Sequence, residues 1–125
     1  MLLRPAKTKD RGAIRALVRL HPKQLVQDHV PATRDFFVAE ENREIIGCCA
    51  LEIYSRKIAE IRSLVVKKDF QGKGVATKLI KKCLERAKHN KVREILTITS
   101  GVDLFGKLGF KMFNKEKYAL LKVIE

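Results

Sequence analysis

The sequence has few aromatic residues, few cysteines and no long apolar run. Only 6% of its 125 residues are aromatic and none is Trp, so it lacks the interleaved stacking side chains of single-strand nucleic-acid binders. Its three cysteines have neither metal-site spacing nor that of a disulfide framework. We therefore expect them to be small core residues in a reducing compartment, and we expect no metal.

Neither a transmembrane run nor a signal peptide is recognisable, and the first residues read MLLRPAKTKD. We therefore expect a cytoplasmic protein with no membrane partner, and the length predicts one domain, residues 1–125. The net charge of +13 favours an anionic partner. A polyphosphorylated cofactor suits that charge better than nucleic acid does, because the basic residues are spread along the whole chain. A solubilising surface is the alternative.

The motif QGKGVA, Gln71 to Ala76, lies between the apolar run IRSLVV and a segment with helical periodicity. Glycines let a loop bring its N–H groups close to phosphate oxygens, and a helix N-terminus adds partial positive charge. The spacing does not fit the phosphate loop of nucleotide hydrolases, and a dinucleotide fingerprint would need a glycine in place of Thr77. An anion site and a plain turn into a packed helix both fit these residues.

Hydrophobic periodicity predicts alternating strands and helices. Asp10 is expected to cap the first helix, and Asn42-Arg43 to turn a hairpin. KQLVQDHV is interpreted as a helix or a loop. The predicted strands are LLRPA, DFFVAEE, EIIGCCALEIY, AEIRSLVV, VREILTITS and a final strand or hairpin, MFNKEKYALLKVIE; the predicted helices are DRGAIRALVRL, the segment after QGKG and VDLFGKLG. The helix after QGKG has a continuous apolar face of Ala76, Leu79, Ile80, Cys83, Leu84 and Ala87.

Three stretches together resemble the GNAT superfamily of N-acetyltransferases. They are the strand AEIRSLVV, the motif Gln71 to Ala76, which fits the family pattern Gln/Arg-x-x-Gly-x-Gly/Ala, and LFGKLGF, Leu104 to Phe110. Their order and spacing match too. The resemblance implies a mixed α/β fold with a central, mostly antiparallel twisted sheet of six to seven strands and about four helices. It also implies that the strands matching AEIRSLVV and ILTITS splay apart.

The resemblance further implies that acetyl-CoA is the cosubstrate. In the family a glycine loop holds the pyrophosphate on backbone N–H groups, with Lys73 adding exposed charge. By position the N–H of Leu64 would polarise the thioester carbonyl, and the strand around it would pair with the pantetheine arm. The implied cofactor-binding residues are Leu64, Val65, Val66, Gln71, Gly72, Lys73, Gly74, Val75, Ala76, Thr77 and Phe105.

Glu60 matches the glutamate that serves as general base in lysine-acetylating relatives. Strand alternation would place Glu60, Arg62, Leu64 and Val66 on one face, pointing into one cleft. The alternatives are that Glu60 is a surface carboxylate paired with a lysine, and that a chain of water molecules supplies the base.

Phe105 occupies a position where many relatives have a tyrosine that protonates the coenzyme A sulfur. Direct acid catalysis from this position is therefore excluded, and Phe105 is interpreted as a packing residue lying against the pantetheine. The thiolate would leave unassisted or take a proton from water.

The N-acetylglutamate-synthase-like branch of the superfamily also tends to have Phe here, which favours glutamate as acceptor and a place in amino-acid biosynthesis. Arg62 would bind an acceptor carboxylate, with Arg4 and Lys7 as weaker candidates. Alternatively, Arg62 pairs with Glu60 or Glu52. The other functions considered are lysine or N-terminal acetylation of proteins and peptides, an acetyl-CoA-binding module without turnover, and nucleic-acid binding. A monomer or homodimer is expected.

Overall fold

The computed structural model describes residues 1–21, 30–112, 122 and 124. Most of KQLVQDHV and of MFNKEKYALLKVIE lies outside these residues, and so do the helix or loop and the final strand predicted there. Short 3-10 turns precede α1, β2 and α2. The elements are β1 (Leu2–Pro5), α1 (Arg11–Arg19), β2 (Phe36–Glu41), β3 (Glu44–Ile53), β4 (Ile58–Val66), α2 (Val75–His89), β5 (Glu94–Thr97) and α3 (Val102–Gly106).

The five described strands form one sheet in the order β1-β2-β3-β4-β5. Neighbouring strands are antiparallel except β4 and β5, which are parallel. The predicted mixed α/β fold with a mostly antiparallel sheet is therefore confirmed. Asn42 and Arg43 connect β2 to β3 with φ angles of 50° and 65°, as a two-residue hairpin turn that follows the strand twist requires.

Helices cover the two faces of this sheet. On the α2 face, Leu79, Ile80 and Cys83 of α2 are buried against side chains of β2, β3 and β4. On the α1 face, a second cluster forms around three buried residues of α1: Ile14, Leu17 and Val18. The apolar helix faces predicted from the sequence are thus the faces that pack on the sheet. No helix within the described ranges is both long and apolar enough to cross a membrane.

All three cysteines are buried free thiols, as expected of core residues. Cys48 lies on the α1 face, and Cys49 on the α2 face. The thiol of Cys83 donates a weak hydrogen bond to the Cys49 sulfur at 3.7 Å, a separation too long for a disulfide.

Asp10 is the N-cap residue of α1, as predicted, but its side chain makes no capping hydrogen bond to this helix. The carboxylate instead accepts the backbone N–H of Lys7 at 2.7 Å and pairs with Arg4 Nη1 at 2.7 Å. Arg4 also pairs with Glu40 through Nε, at 2.9 Å. The Arg4 guanidinium lowers the pKa of Asp10. The carboxylate is thus satisfied by the guanidinium and by the Lys7 N–H, and Arg4 ties β1 to β2 and to the start of α1.

Candidate active site

β4 contains a bulge at its middle. Cys48 pairs with Val65 and Ala50 pairs with Arg62, so two residues, Ser63 and Leu64, stand opposite the single residue between Cys48 and Ala50. Ser63 has a φ of 55°, in the left-handed region that non-glycine residues seldom adopt. The extra residue reverses the alternation of every side chain that follows it.

The prediction that Glu60, Arg62, Leu64 and Val66 share one face is therefore wrong. Leu64 and Val66 pack with the α2-face core, as Ile61 does before the bulge. Glu60 and Arg62 alternate with Ile61 and so lie on the α1 face. After the bulge it is Val65 that packs on the α1 face, while the backbone N–H groups of this half of β4 lie in the plane of the sheet.

β4 and β5 separate where the bulge begins. Their pairing runs from Ile58–Glu94 to Ile61–Thr97, and the Thr97 hydroxyl donates to the Ile61 carbonyl at 3.1 Å. Within residues 30–112, no strand pairs with β4 residues 62–66 on the β5 side. The predicted splay is confirmed, and alternate backbone N–H and C=O groups there point into the opening.

The glycine loop follows the end of β4 directly. Gly72 and Gly74 have φ angles of 76° and 82°, a conformation that glycine adopts without steric cost. The first intrahelical hydrogen bond of α2 runs from Lys78 N to Gly74 O, at 3.1 Å, so the preceding N–H groups of the first turn have no carbonyl within the helix. The Gln71 side-chain amide donates to the Val66 carbonyl at 2.9 Å, which joins the loop to β4.

Space in front of the loop is open. A Cβ at Gly72 or at Gly74 would meet no other atom within 4 Å, so the backbone can be approached closely. Lys73 is exposed, as expected, and its ammonium lies 5.6 Å from the centre of the Phe70 ring. These features suit an anion bound at the N-terminus of α2.

A polar cluster of Glu52, Tyr54, Glu60 and Arg62 lies on the first half of β4 and the facing end of β3. Glu52 and Glu60 are directly opposite each other. The Tyr54 hydroxyl donates to Glu60 Oε1 at 2.5 Å, and Arg62 Nη1 lies 3.5 Å from Glu52 Oε1. The sequence left open whether Arg62 pairs with Glu60 or with Glu52, and the pair with Glu52 is present in the structure.

Tyr54 is the site residue that the sequence interpretation missed. It lies two residues after Glu52, and the antiparallel register of β3 and β4 brings it diagonally beside Glu60. Burial, followed by its contacts with Glu60 and Glu52, raises the pKa of Tyr54 well above its usual range. The hydroxyl therefore remains a donor at neutral pH.

Phe105 belongs to the α2-face core, with 4% of its surface exposed. Its ring meets Phe110 edge to face, with centroids 5.2 Å apart. The packing role predicted for it is confirmed, and its contact with a pantetheine stays a prediction. The predicted helix VDLFGKLG ends earlier than expected, at Gly106, and Gly109, with a φ of 91°, ends the turn that follows it.

A family model described as "Acetyltransferase (GNAT) family" matches residues 8–110. The chain belongs to this family. An uncharacterized N-acetyltransferase of Chlorobaculum tepidum is 36% identical over 96 residues, which are 77% of this chain and 62% of that protein. The chain thus spans less than two thirds of that relative's length.

Two solved structures have the same fold. Rv2747 from Mycobacterium tuberculosis, in complex with CoA and NLQ, matches with a TM-score of 0.85 at 25% identity, over 91% of this chain and 74% of its own. N-acetylglutamate synthase from Neisseria gonorrhoeae, complexed with coenzyme A and N-acetyl-glutamate, matches with a TM-score of 0.80 at 20% identity, over 94% of this chain and 30% of its own. The branch named from the sequence is thus represented among the structural neighbours.

Proposed function

We propose that this protein transfers the acetyl group of acetyl-CoA to a primary amine, by direct attack in a ternary complex, and that the acceptor is an amino acid such as glutamate. One observation carries this proposal: the opening between β4 and β5 begins at a bulge and leads straight to a glycine loop at a helix N-terminus. A linear cofactor with an anionic end and a thioester end fits such an arrangement.

The pyrophosphate binds at the glycine loop, where the N–H groups of residues 71–77 and the dipole of α2 stabilise negative charge. The pantetheine arm pairs with the open side of Leu64, Val65 and Val66 in the manner of an added strand. The Leu64 N–H then donates to the thioester oxygen as negative charge develops on it during attack.

Glu60 removes a proton from the acceptor's ammonium group, and the neutral amine attacks the thioester carbonyl. The carbon–sulfur bond breaks, and coenzyme A leaves as a thiolate. The attacking nitrogen releases its second proton to water as the amide forms, and because Phe105 has no proton to donate, the thiolate takes a proton from that water. The acceptor approaches from the α1 face, where Glu60 and Arg62 lie.

Arg62 binds a carboxylate of the acceptor, which sets the preference for an amino acid. A guanidinium has five N–H donors and can bind two carboxylates at once, so a pair with Glu52 is compatible with this role. The coenzyme A and N-acetyl-glutamate bound by the Neisseria gonorrhoeae enzyme support the same substrate class.

Release of coenzyme A should be followed with purified protein, acetyl-CoA and a panel of amino acids, polyamines and lysine peptides. We expect glutamate or a related amino acid to be the best acceptor. Arg62→Ala should raise its KM at least tenfold with little change in the KM of acetyl-CoA. Arg19→Ala, which removes an exposed arginine at the end of α1, is the control and should behave as wild type. A lysine peptide as best acceptor, with glutamate's KM unchanged in Arg62→Ala, would instead indicate protein acetylation.

Glu60→Gln tests the base. The amide keeps the shape but cannot accept a proton, so kcat should fall by about two orders of magnitude and the alkaline-rising limb of the pH profile should disappear. Glu85→Gln, which removes an exposed carboxylate of α2, is the matched control. Binding of acetyl-CoA without turnover of any acceptor would favour the alternative of a non-catalytic acetyl-CoA-binding module.

A further inference from the structure

Tyr54 stands out because its hydroxyl contacts the proposed base. β3 and β4 are held together beyond the end of β3, where the Tyr54 N–H donates to the Ile58 carbonyl at 3.1 Å. This fixes the backbone from which the side chain reaches along the α1 face. The hydroxyl lies 2.5 Å from Glu60 Oε1, the separation of a short bond between a neutral donor and a carboxylate.

The charged residues around Glu60 explain why a hydrogen-bond donor is needed there. Two carboxylates directly opposite each other on neighbouring strands repel, and Glu52 and Glu60 are such a pair. Arg62 offsets the charge of Glu52, at 3.5 Å. Among the described residues, the Tyr54 hydroxyl donates a hydrogen bond to Glu60. The hydroxyl thus holds one oxygen of the Glu60 carboxylate in a defined direction.

We propose that Tyr54 is a positioning residue, whose hydroxyl holds Oε1 of Glu60 so that Oε2 receives the proton of the acceptor's ammonium group. This rests on the proposed function of Glu60 as base. Tyr54 itself exchanges no proton with the substrate. It orients the carboxylate through the contact at Oε1.

Tyr54→Phe removes the hydroxyl and keeps the ring. We expect kcat to fall about tenfold, since a hydrogen bond to a charged group is lost. Because the side chain is about half exposed, the melting temperature should change little. In the Glu60→Gln background, Tyr54→Phe should have no further effect on kcat, as for two residues that act through one group.

The contact also has a readout that does not depend on turnover. The ultraviolet titration of the Tyr54 hydroxyl is isolated in each background by subtracting the matching Tyr54→Phe variant. It should move to lower pH in Glu60→Gln, because a neighbouring carboxylate disfavours phenolate. An unmoved titration would overturn the contact itself.

The kinetic outcomes separate this proposal from the one on which it rests. If Glu60→Gln lowers kcat as expected but Tyr54→Phe leaves kcat unchanged, or lowers kcat by the same factor in both backgrounds, the positioning role is wrong and the base stands. If Glu60→Gln keeps wild-type kcat and pH dependence, the base assignment fails, and the role of Tyr54 fails with it.

Discussion

The two halves of β4 differ in regularity and in the kind of group they present. Residues 58–62 pair with β3 on one side and, up to Ile61, with β5 on the other, and their side chains alternate regularly. Residues 63–66 begin with a bulge and leave the β5 side open. The regular half presents the Glu60 and Arg62 side chains, and the irregular half presents its backbone.

This difference matches two chemical needs. A base and a carboxylate-binding guanidinium must be held as side chains in a defined direction, which regular alternation supplies. A thioester arm recognised along its length needs unpaired backbone donors, and a sheet exposes these only where pairing fails. In our proposal, the irregular half therefore serves acetyl-CoA and the regular half serves the acceptor.

Among changes within the irregular half of β4, replacing Ser63 should have the largest effect. Val at a φ of 55° is strained, so Ser63→Val should lower the free energy of unfolding by about 1–3 kcal/mol or remove the bulge. Thermal unfolding and calorimetric binding of acetyl-CoA would measure both results, and we expect at least a tenfold loss of affinity.

Two variants control for the change. Ser63→Gly adopts the same φ freely and should keep acetyl-CoA affinity. Ile61→Val, in the regular half, should cost about 0.5–1.5 kcal/mol of stability without weakening acetyl-CoA binding. Equal affinity in Ser63→Val and wild type would mean that the bulge does not form the cofactor's binding edge.

The rate at which Cys48 is alkylated would also show whether the bulge is intact. Its thiol contacts the Ser63 carbonyl at 3.5 Å, and burial raises the pKa of Cys48 to about 12. Since the thiolate is the reactive form, Cys48 in the folded protein should resist alkylation at pH 8. Ser63→Val should increase its labelling, detected by mass spectrometry, whereas Ile61→Val should not. Rapid labelling of Cys48 in the wild type would show that this half of β4 opens readily.

The smallest effect is expected from Phe105→Tyr. The hydroxyl is added at the position where relatives have the acid, so turnover should remain within about tenfold of wild type and should rise where thiolate departure is limiting. A folded variant with a hundredfold loss of turnover would show that the match to the tyrosine position is mistaken. Circular dichroism and coenzyme A release would distinguish these outcomes.

Sequence patterns predicted the features that local rules control. The hairpin at Asn42 and Arg43, the buried face of α2 and the glycine loop follow from turn chemistry, from periodicity and from the need of glycine for positive φ. These signals are carried by residues close together in the chain.

Features set by pairing between strands were not predicted. Nothing in the identity of Ser63 indicates a positive φ. Regular alternation therefore predicts Leu64 on the same face as Glu60 and Arg62, whereas the bulge turns it to the opposite, α2 face. Tyr54 approaches Glu60 only through the register of β3 and β4. Likewise Asp10, a favourable capping residue in isolation, pairs with Arg4 of β1 instead.

Calorimetric titration of acetyl-CoA into wild type, Gly74→Asp, Gly74→Asn and Glu60→Gln tests the division of β4 most directly. Asn tolerates positive φ better than most residues, so Gly74→Asn isolates the added side chain, and Gly74→Asp adds a negative charge against the pyrophosphate. We expect micromolar-range binding by wild type, a similar affinity in Glu60→Gln, a modest loss in Gly74→Asn and a loss of about a hundredfold or more in Gly74→Asp. Absent binding by wild type, or equal affinities for Gly74→Asp and Glu60→Gln, would contradict the assignment of the cofactor to the irregular half and its loop.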